Sequence, residues 1–154
     1  MINLHATTVA VAGEAVLLTG PSGSGKSQLA LRLIERGAWL IADDQTLLSP
    51  QDAVLWASCP RSIMGRIEVR GVGLIAAPHQ TKAPVRFVLD MDRSARPGGD
   101  PPRLPEISHW RPPSGLENLR PIPCVPFDAF RPDAAEAVVA ALAHIRNWED
   151  SPAL

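Results

Sequence analysis

The segment at residues 20–27 constrains the fold of this chain more than any other. It reads Gly20-Pro21-Ser22-Gly23-Ser24-Gly25-Lys26-Ser27, which fits the phosphate-loop pattern G-x-x-x-x-G-K-[ST] at every fixed position. An apolar, partly β-branched run at residues 15–19 precedes it, and residues 26–36 carry apolar side chains at helical spacing. The sequence therefore predicts a strand, a glycine-rich loop and a helix in direct succession.

Such a loop predicts binding of the phosphates of a nucleoside triphosphate together with Mg²⁺. Glycine allows the backbone to curl so that consecutive N–H groups point at phosphate oxygens, and the helix N-terminus adds partial positive charge. We expect Lys26 to contact the β- and γ-phosphates and the Ser27 hydroxyl to be a Mg²⁺ ligand. The alternative is a glycine-rich turn without a ligand, which the complete pattern between a strand and a helix disfavours.

Composition favours a single domain over residues 1–154. With 45% hydrophobic residues and a formal net charge of −1, the chain can form an ordinary core, and its overall charge favours neither nucleic acid nor an anionic membrane as a partner. No apolar run approaches the roughly 20 residues that span a bilayer, and the N-terminus does not resemble a signal peptide. Cys59 and Cys124 match no metal or redox spacing, so free thiols are expected, with one disulfide as the alternative. We expect a soluble cytoplasmic protein.

Hydrophobic patterning predicts further strands and a closing helix. Strands are expected at 2–5, 8–12, 39–42, 66–70, 72–76 and 85–91, a hairpin from 45–48 and 53–57 with its turn at 49–52, and a helix at 132–148. Residues 93–126 contain nine of the sixteen prolines. Since proline fixes φ and removes a backbone donor, this Pro-rich region is predicted to be an irregular surface loop.

Asp43 and Asp44 directly follow the predicted strand at 39–42. Because this strand comes straight after the phosphate-loop helix, we expect it to pair beside the strand at 15–19 and to bring both carboxylates near the phosphates. One carboxylate can then face the metal while the other receives the proton of an attacking hydroxyl. The alternative is an ordinary Asp turn, which is the interpretation we prefer for Asp90 at the end of another apolar run.

Glu68, Arg70 and His5 are further candidates. Glu68 and Arg70 are spaced i, i+2, so they share one face if residues 66–70 form a strand. The alternative for this pair is an exposed cross-strand ion pair. His5 precedes the phosphate-loop strand, and taken alone it is equally compatible with a structural and a catalytic role.

Taken together, these segments resemble the catalytic domain of HPr kinase/phosphorylase. The similarity is carried by four features in order: His5, residues 17–27, Arg36-Gly37 with Leu40-Ile41-Ala42-Asp43-Asp44, and Ile67-Glu68-Val69-Arg70-Gly71-Val72-Gly73-Leu74-Ile75. The last of these is similar to the family signature E-[IV]-R-G-x-G. The resemblance covers about residues 2–90 and is closest to the short form found in alphaproteobacteria, which lacks an N-terminal regulatory domain.

The resemblance implies an α/β P-loop kinase fold of the phosphoenolpyruvate-carboxykinase-like type, with a mixed β-sheet flanked by helices, and a hexamer. It implies ATP-dependent phosphorylation of a serine on HPr, the small phosphocarrier of the sugar phosphotransferase system, and dephosphorylation with inorganic phosphate. By position, Lys26 binds the β- and γ-phosphates, Ser27 and Glu68 hold Mg²⁺, and Asp44 is the base that takes the seryl proton.

Three further residues are placed by the same resemblance. His5 is expected near Asp44, Asp43 is expected to support the site, and Arg70 is expected to steady Glu68 or a phosphate. The family's C-terminal arginine loop matches no segment here, and Arg120 and Arg131 are the candidates for its arginine. Two other functions stay open: a small-molecule P-loop kinase, which the signature around Glu68 disfavours, and a non-catalytic nucleotide-binding sensor.

Overall fold

The phosphate-loop strand lies inside a mixed β-sheet. The computed structural model describes residues 1–92 and 108–149. The strands are β1 (Ile2–Leu4), β2 (Ala6–Val11), β3 (Glu14–Thr19), β4 (Trp39–Ala42), β5 (Thr46–Gln51), β6 (Val54–Ser58), β7 (Arg66–Val69), β8 (Gly73–Ala76), β9 (Lys82–Asp90), β10 (Ser108–His109) and β11 (Pro123–Pro126). The helices are α1 (Lys26–Glu35) and α2 (Ala134–Glu149), with a short 3₁₀ turn at Arg61–Ile63. Within the described residues, neither helix is long and apolar enough to span a bilayer.

Four strands of the sheet point the same way and end at the same edge. β3 pairs in parallel with β9, and β9 in parallel with β11. β2 is antiparallel to both β3 and β4, so β4 runs in the direction of β3. The carboxyl ends of β3, β4, β9 and β11 therefore meet at one edge, where open α/β sheets bind their ligands. The predicted mixed sheet with flanking helices is confirmed.

The position of β4 differs from the prediction. It does not pair beside the phosphate-loop strand, because β2 lies between β3 and β4. A two-residue turn at Ala12-Gly13 joins β2 to β3, and both residues have positive φ, 51° and 83°. Such turns favour tight antiparallel hairpins. β2 therefore takes the position beside β3 that was predicted for β4, and β4 pairs with the other side of β2. The carboxyl end of β4 still lies at the same edge of the sheet as that of β3.

Two other loop predictions changed in detail. The hairpin of β5 and β6 forms, but its turn lies at Asp52-Ala53, where φ is 52° and 65°, rather than at 49–52. In the Pro-rich region, residues 93–107 lie outside the described residues. Residues 123–126 were predicted to be irregular, but they form β11 of the main sheet. Its prolines stand at the first and last positions of the strand, where a missing N–H is tolerated.

The two faces of the sheet carry separate hydrophobic cores. Along β3, Val16 packs into the cluster that contains Leu29 of α1 and Val138 of α2, whereas Leu17 packs into the cluster on the other face. This alternation follows from the two-residue period of a strand. Both helices therefore lie on one face, and their packing fixes the N-terminus of α1 at the end of β3.

The neighbours Val138 and Val139 provide a matched test of this packing. Val138 is fully buried, whereas 43% of Val139 is exposed. We expect Val138→Ala to lower the free energy of unfolding by about 1.5–3 kcal/mol, since a buried valine loses its contacts. Val139→Ala should change it by less than about 0.5 kcal/mol. Urea denaturation measures both values, and equal effects would show that α2 does not bury this face.

Candidate active site

The backbone of the phosphate loop requires glycine at both of its ends. Gly20 has a φ of 139°, and Gly25, immediately before α1, has a φ of 92°. A Cβ on Gly20 would lie 2.9 Å from Ser24 Oγ, and one on Gly25 would lie 2.9 Å from the Cβ of Ala129. No side chain caps the start of α1. Its first N–H groups are therefore available to an anion in the loop.

Lys26 is held inside this loop. It is the first residue of α1, and its side chain is buried. Its Nζ donates hydrogen bonds to the carbonyl oxygens of Gly20, at 2.7 Å, and Pro21, at 2.9 Å. Burial lowers the pKa of Lys26, and the charges of Asp44 and Asp43 act in the opposite direction. The ammonium group thus lies within electrostatic reach of both carboxylates.

The carboxylate of Asp43 joins four elements around the loop. Only 8% of this residue is exposed. Its Oδ1 accepts hydrogen bonds from Ser27 Oγ of α1, at 2.7 Å, and from Thr7 Oγ1 of β2, at 3.0 Å. Its Oδ2 accepts one from the backbone N–H of Glu68 on β7, at 2.9 Å. Asp43 follows β4, so these bonds fix β2, β4, β7 and α1 relative to one another.

Asp44 faces solvent although it is adjacent to Asp43. Its φ of 69° is left-handed, a conformation that aspartate tolerates better than most residues. Its backbone N–H donates to Thr7 Oγ1 at 3.1 Å. The side chain is 64% exposed, and its Oδ1 lies 3.2 Å from Nδ1 of His5. The structure therefore brings His5 beside Asp44, as the resemblance implied.

Thr7 is the residue that sequence reasoning missed. Its hydroxyl donates to Asp43 and accepts from the backbone of Asp44, so one buried side chain connects the two aspartates. The next residue of the same strand, Thr8, is also buried and bonded. Its hydroxyl lies 2.8 Å from that of Thr46, which donates a hydrogen bond to the carbonyl oxygen of Ala6. Two consecutive threonines in an otherwise apolar strand are the sequence signal that could have identified Thr7.

The spacing predicted that Glu68 and Arg70 both lie on one strand, but only Glu68 does. β7 ends at Val69, and Arg70 lies in the turn that leads to β8. Glu68 reaches the site through its backbone, while both side chains point to solvent. Asp90 accepts a hydrogen bond from the N–H of Asp92 at 3.0 Å, which is the turn role expected for it.

The site fits a triphosphate and Mg²⁺. The Ser24 hydroxyl is buried in the loop and has no hydrogen-bond partner within the described part of the chain. This hydroxyl, the start of α1 and Lys26 offer donors to anionic oxygens. The Ser27 hydroxyl and the Asp43 carboxylate, 2.7 Å apart, offer the oxygen ligands that Mg²⁺ prefers.

Cys59 lies close enough to the site for the charge of Asp43 to affect it. Burial is the main cause that raises the pKa of the Cys59 thiol to about 11, and Asp43 adds to this effect. Burial and, secondarily, Asp90 raise the pKa of Cys124 to about 11 as well. Both cysteines are free. The raised pKa values favour the protonated thiols, which are less nucleophilic than thiolates.

Three features together define a P-loop nucleotide-binding fold. A strand ends in a glycine-rich loop, a helix begins at the loop lysine, and a carboxylate is bonded to the serine that follows this lysine. Residues 1–80 match the family described as HPr Serine kinase C-terminal domain, which is more than half of the 154 residues. The chain belongs to this family, and the resemblance predicted from its motifs is confirmed. The matched region contains the residues assigned to the site.

Individual relatives extend the match along the chain. It is similar to HPr kinase/phosphorylase of Aromatoleum aromaticum, with 37% identity over 129 residues that cover 79% of this chain and 41% of that protein. The same-named protein of Clostridium botulinum is 47% identical over 72 residues, which cover 47% of this chain and 24% of that protein. The chain thus spans less than half the length of these curated relatives.

A solved structure matches nearly the whole fold. It is that of the Hpr(Ser) kinase/phosphatase from Coxiella burnetii, with a TM-score of 0.82 and 23% sequence identity, covering 98% of this chain and 100% of that one. The match therefore includes the C-terminal part of the chain, which lies outside the family match at residues 1–80. It confirms the predicted α/β fold.

Asp43→Asn tests whether the Asp43 bonds stabilise the fold. Asparagine replaces one acceptor oxygen by an NH₂ group, which would confront the N–H of Glu68 or one of the hydroxyls. We expect the free energy of unfolding to fall by about 1.5–3 kcal/mol, the range for hydrogen bonds to a charged group. Chemical denaturation measures the change.

The adjacent Asp44→Asn is the matched control. Its side chain is largely exposed, and an exposed pair such as His5–Asp44 contributes little to stability. We expect its unfolding free energy to stay within about 0.5 kcal/mol of the unsubstituted protein. Equal destabilisation by both substitutions would contradict the structural difference between the two aspartates.

Proposed function

We propose that this chain is an ATP-dependent protein kinase that phosphorylates a serine of an HPr-type phosphocarrier protein, with Mg²⁺ as its metal. The observation that carries the proposal is the exposed carboxylate of Asp44, positioned beside a complete phosphate loop and paired with His5 at 3.2 Å. Membership of the HPr serine kinase C-terminal domain family supports the choice of substrate. Relatives named HPr kinase/phosphorylase support it further.

The phosphate end of the site is proposed to work by electrostatics. Phosphoryl transfer passes through a loose transition state whose charge must be neutralised, with little covalent help from the protein. Lys26 and the N–H groups at the start of α1 would hold the β- and γ-phosphates. Bound Mg²⁺ would supply further positive charge, with Ser27, Asp43 and Glu68 as the residues that hold it.

Asp44 is proposed to be the general base. Its Oδ1 faces His5, which leaves Oδ2 to take the proton of the seryl hydroxyl. A base in this position contributes roughly 10²–10⁴-fold to a rate. The left-handed backbone of Asp44 supports this role, because it directs the carboxylate outward while Asp43 remains buried. His5 would orient the Asp44 carboxylate.

Other expectations rest on the relatives rather than on the geometry. The relatives' names include phosphorylase activity. We therefore include in the proposal a second reaction, in which inorganic phosphate accepts the phosphoryl group of the phosphoserine, so that pyrophosphate and the free seryl hydroxyl are formed. Cytoplasmic location and a hexameric assembly are parts of the same proposal. Arg70 stays a predicted supporting residue, and its exposed position is open to a phosphate or a protein partner.

Transfer of label from ATP tests the proposed function. The protein is incubated with γ-labelled ATP, Mg²⁺ and the HPr-type protein of the same organism, and mass spectrometry locates the phosphate. We expect phosphate on one serine, and none when that serine is replaced by alanine or when Lys26→Met is used. Label on a small metabolite alone would indicate a small-molecule kinase, and ATP binding without any transfer would indicate a sensor.

A further inference from the structure

The segment after β11 packs against the phosphate loop. β11 runs parallel to β9, which runs parallel to β3, so the residues that follow β11 emerge at the same edge as the loop. The backbone N–H of Phe127 continues this pairing by donating to the carbonyl of Asp90 at 2.9 Å. In parallel α/β sheets, the loops at this edge contact the ligand.

The ring of Phe130 lies at the point where α1 begins. A Cβ on Gly25 would be 3.2 Å from Cζ and 3.3 Å from Cε1 of Phe130. The ring is therefore in contact with the last backbone turn of the phosphate loop. Phe130 is nevertheless 46% exposed. A large aromatic residue thus presents surface to solvent directly beside the site for the phosphates.

Hydrogen bonds hold the backbone at Phe130 and at Pro132, and a side-chain ion pair lies beside them. The N–H of Phe130 donates to Oδ1 of Asp128 at 3.0 Å. Arg131 binds both carboxylate oxygens of Asp133, at 2.5 and 2.8 Å, and its guanidinium lies 5.6 Å from the ring centre of Phe127. From α1, Arg32 donates to the carbonyl of Pro132 at 2.7 Å. The Phe130 backbone is therefore tied to α1, the helix that begins at the phosphate loop.

We propose that Phe130 is the stacking surface for the nucleobase of the triphosphate bound to the phosphate loop, an inference that rests on the proposed nucleotide binding. The nucleobases are flat and aromatic, and they gain affinity by stacking on an exposed aromatic side chain. The hydrogen-bonded backbone lowers the entropic cost of this contact, because the segment that carries the ring need not be ordered on binding. The other candidate occupant of the exposed Phe130 surface is a second copy of the chain.

A comparison of ATP with inorganic tripolyphosphate isolates the nucleobase. Both ligands place phosphates on the loop, but only ATP can stack. Isothermal titration calorimetry in the presence of Mg²⁺ gives both affinities for the unsubstituted protein, for Phe130→Leu and for Phe130→Trp. Leucine keeps an apolar side chain against Gly25 but has no aromatic face, whereas tryptophan keeps the face. Val139→Ala is the control on α2.

We expect Phe130→Leu to weaken ATP binding about 5- to 100-fold, in line with the loss of one base–aromatic contact. Tripolyphosphate binding should stay within about twofold, and Phe130→Trp should bind ATP at least as well as the unsubstituted protein. Equal weakening of both ligands would overturn the inference, since Phe130 would then only support the loop. Unchanged ATP affinity would overturn it as well.

The remaining outcomes separate this inference from the proposed function. If Phe130→Leu changes only the association state in sedimentation velocity, Phe130 belongs to a contact between copies and the nucleobase site is refuted. If the unsubstituted protein binds neither ATP nor tripolyphosphate, the proposed kinase function fails and the inference fails with it. Loss of ATP affinity in Phe130→Leu with no transfer to serine by the unsubstituted protein would refute the kinase proposal and support the nucleobase site.

Discussion

The buried carboxylate of Asp43 is the interaction on which the site depends. A carboxylate that is removed from water is strongly destabilising unless hydrogen bonds satisfy it. Here Ser27, Thr7 and the backbone of Glu68 supply three donors, from three elements that are distant in sequence. The bonds hold only when β2, β7 and α1 are all in place beside β4. The need to satisfy one charge thus specifies the relative positions of the elements around the phosphate loop.

The same network separates the tasks of two adjacent aspartates. Asp43 is buried, and both of its carboxylate oxygens accept hydrogen bonds from internal donors. The Thr7 hydroxyl that donates to Asp43 also binds the backbone of Asp44, where the chain turns into a left-handed conformation. Asp44 is therefore directed outward, next to His5. Thr7 thus bonds to both of two adjacent aspartates, of which Asp43 is buried and Asp44 is exposed.

The parts of the site that the residue pattern itself anticipated are local in the chain, whereas the contact of His5 with Asp44 was implied only by the family resemblance. The phosphate loop and α1 depend on glycine conformation and helical periodicity over consecutive residues, and β4 was predicted with its observed ends. The pairing of Asp43 with Ser27 spans 16 residues, and that with Thr7 spans 36. Such contacts depend on sheet order, which periodicity does not determine. The tight turn at Ala12-Gly13 decided that order by placing β2 beside β3.

The C-terminal part was predicted less well for a related reason. Prolines at 123 and 126 indicated irregular chain, yet these positions end a short strand where their missing donors are tolerated. Once β11 joins the sheet, the following residues arrive at the phosphate loop and Phe130 contacts Gly25. Nothing in the spacing of residues 123–130 indicates this proximity. It follows only from the parallel pairing of β11 with β9.

The central claim is that Asp44 takes the seryl proton while Asp43 holds the site. The single-turnover rate of phosphoryl transfer by Asp44→Asn tests it most directly, because asparagine keeps the size of the side chain and tolerates the left-handed backbone. We predict a fall of at least about 100-fold in the rate constant, with an ATP affinity close to that of the unsubstituted protein. Transfer to serine at an unchanged rate would contradict the claim.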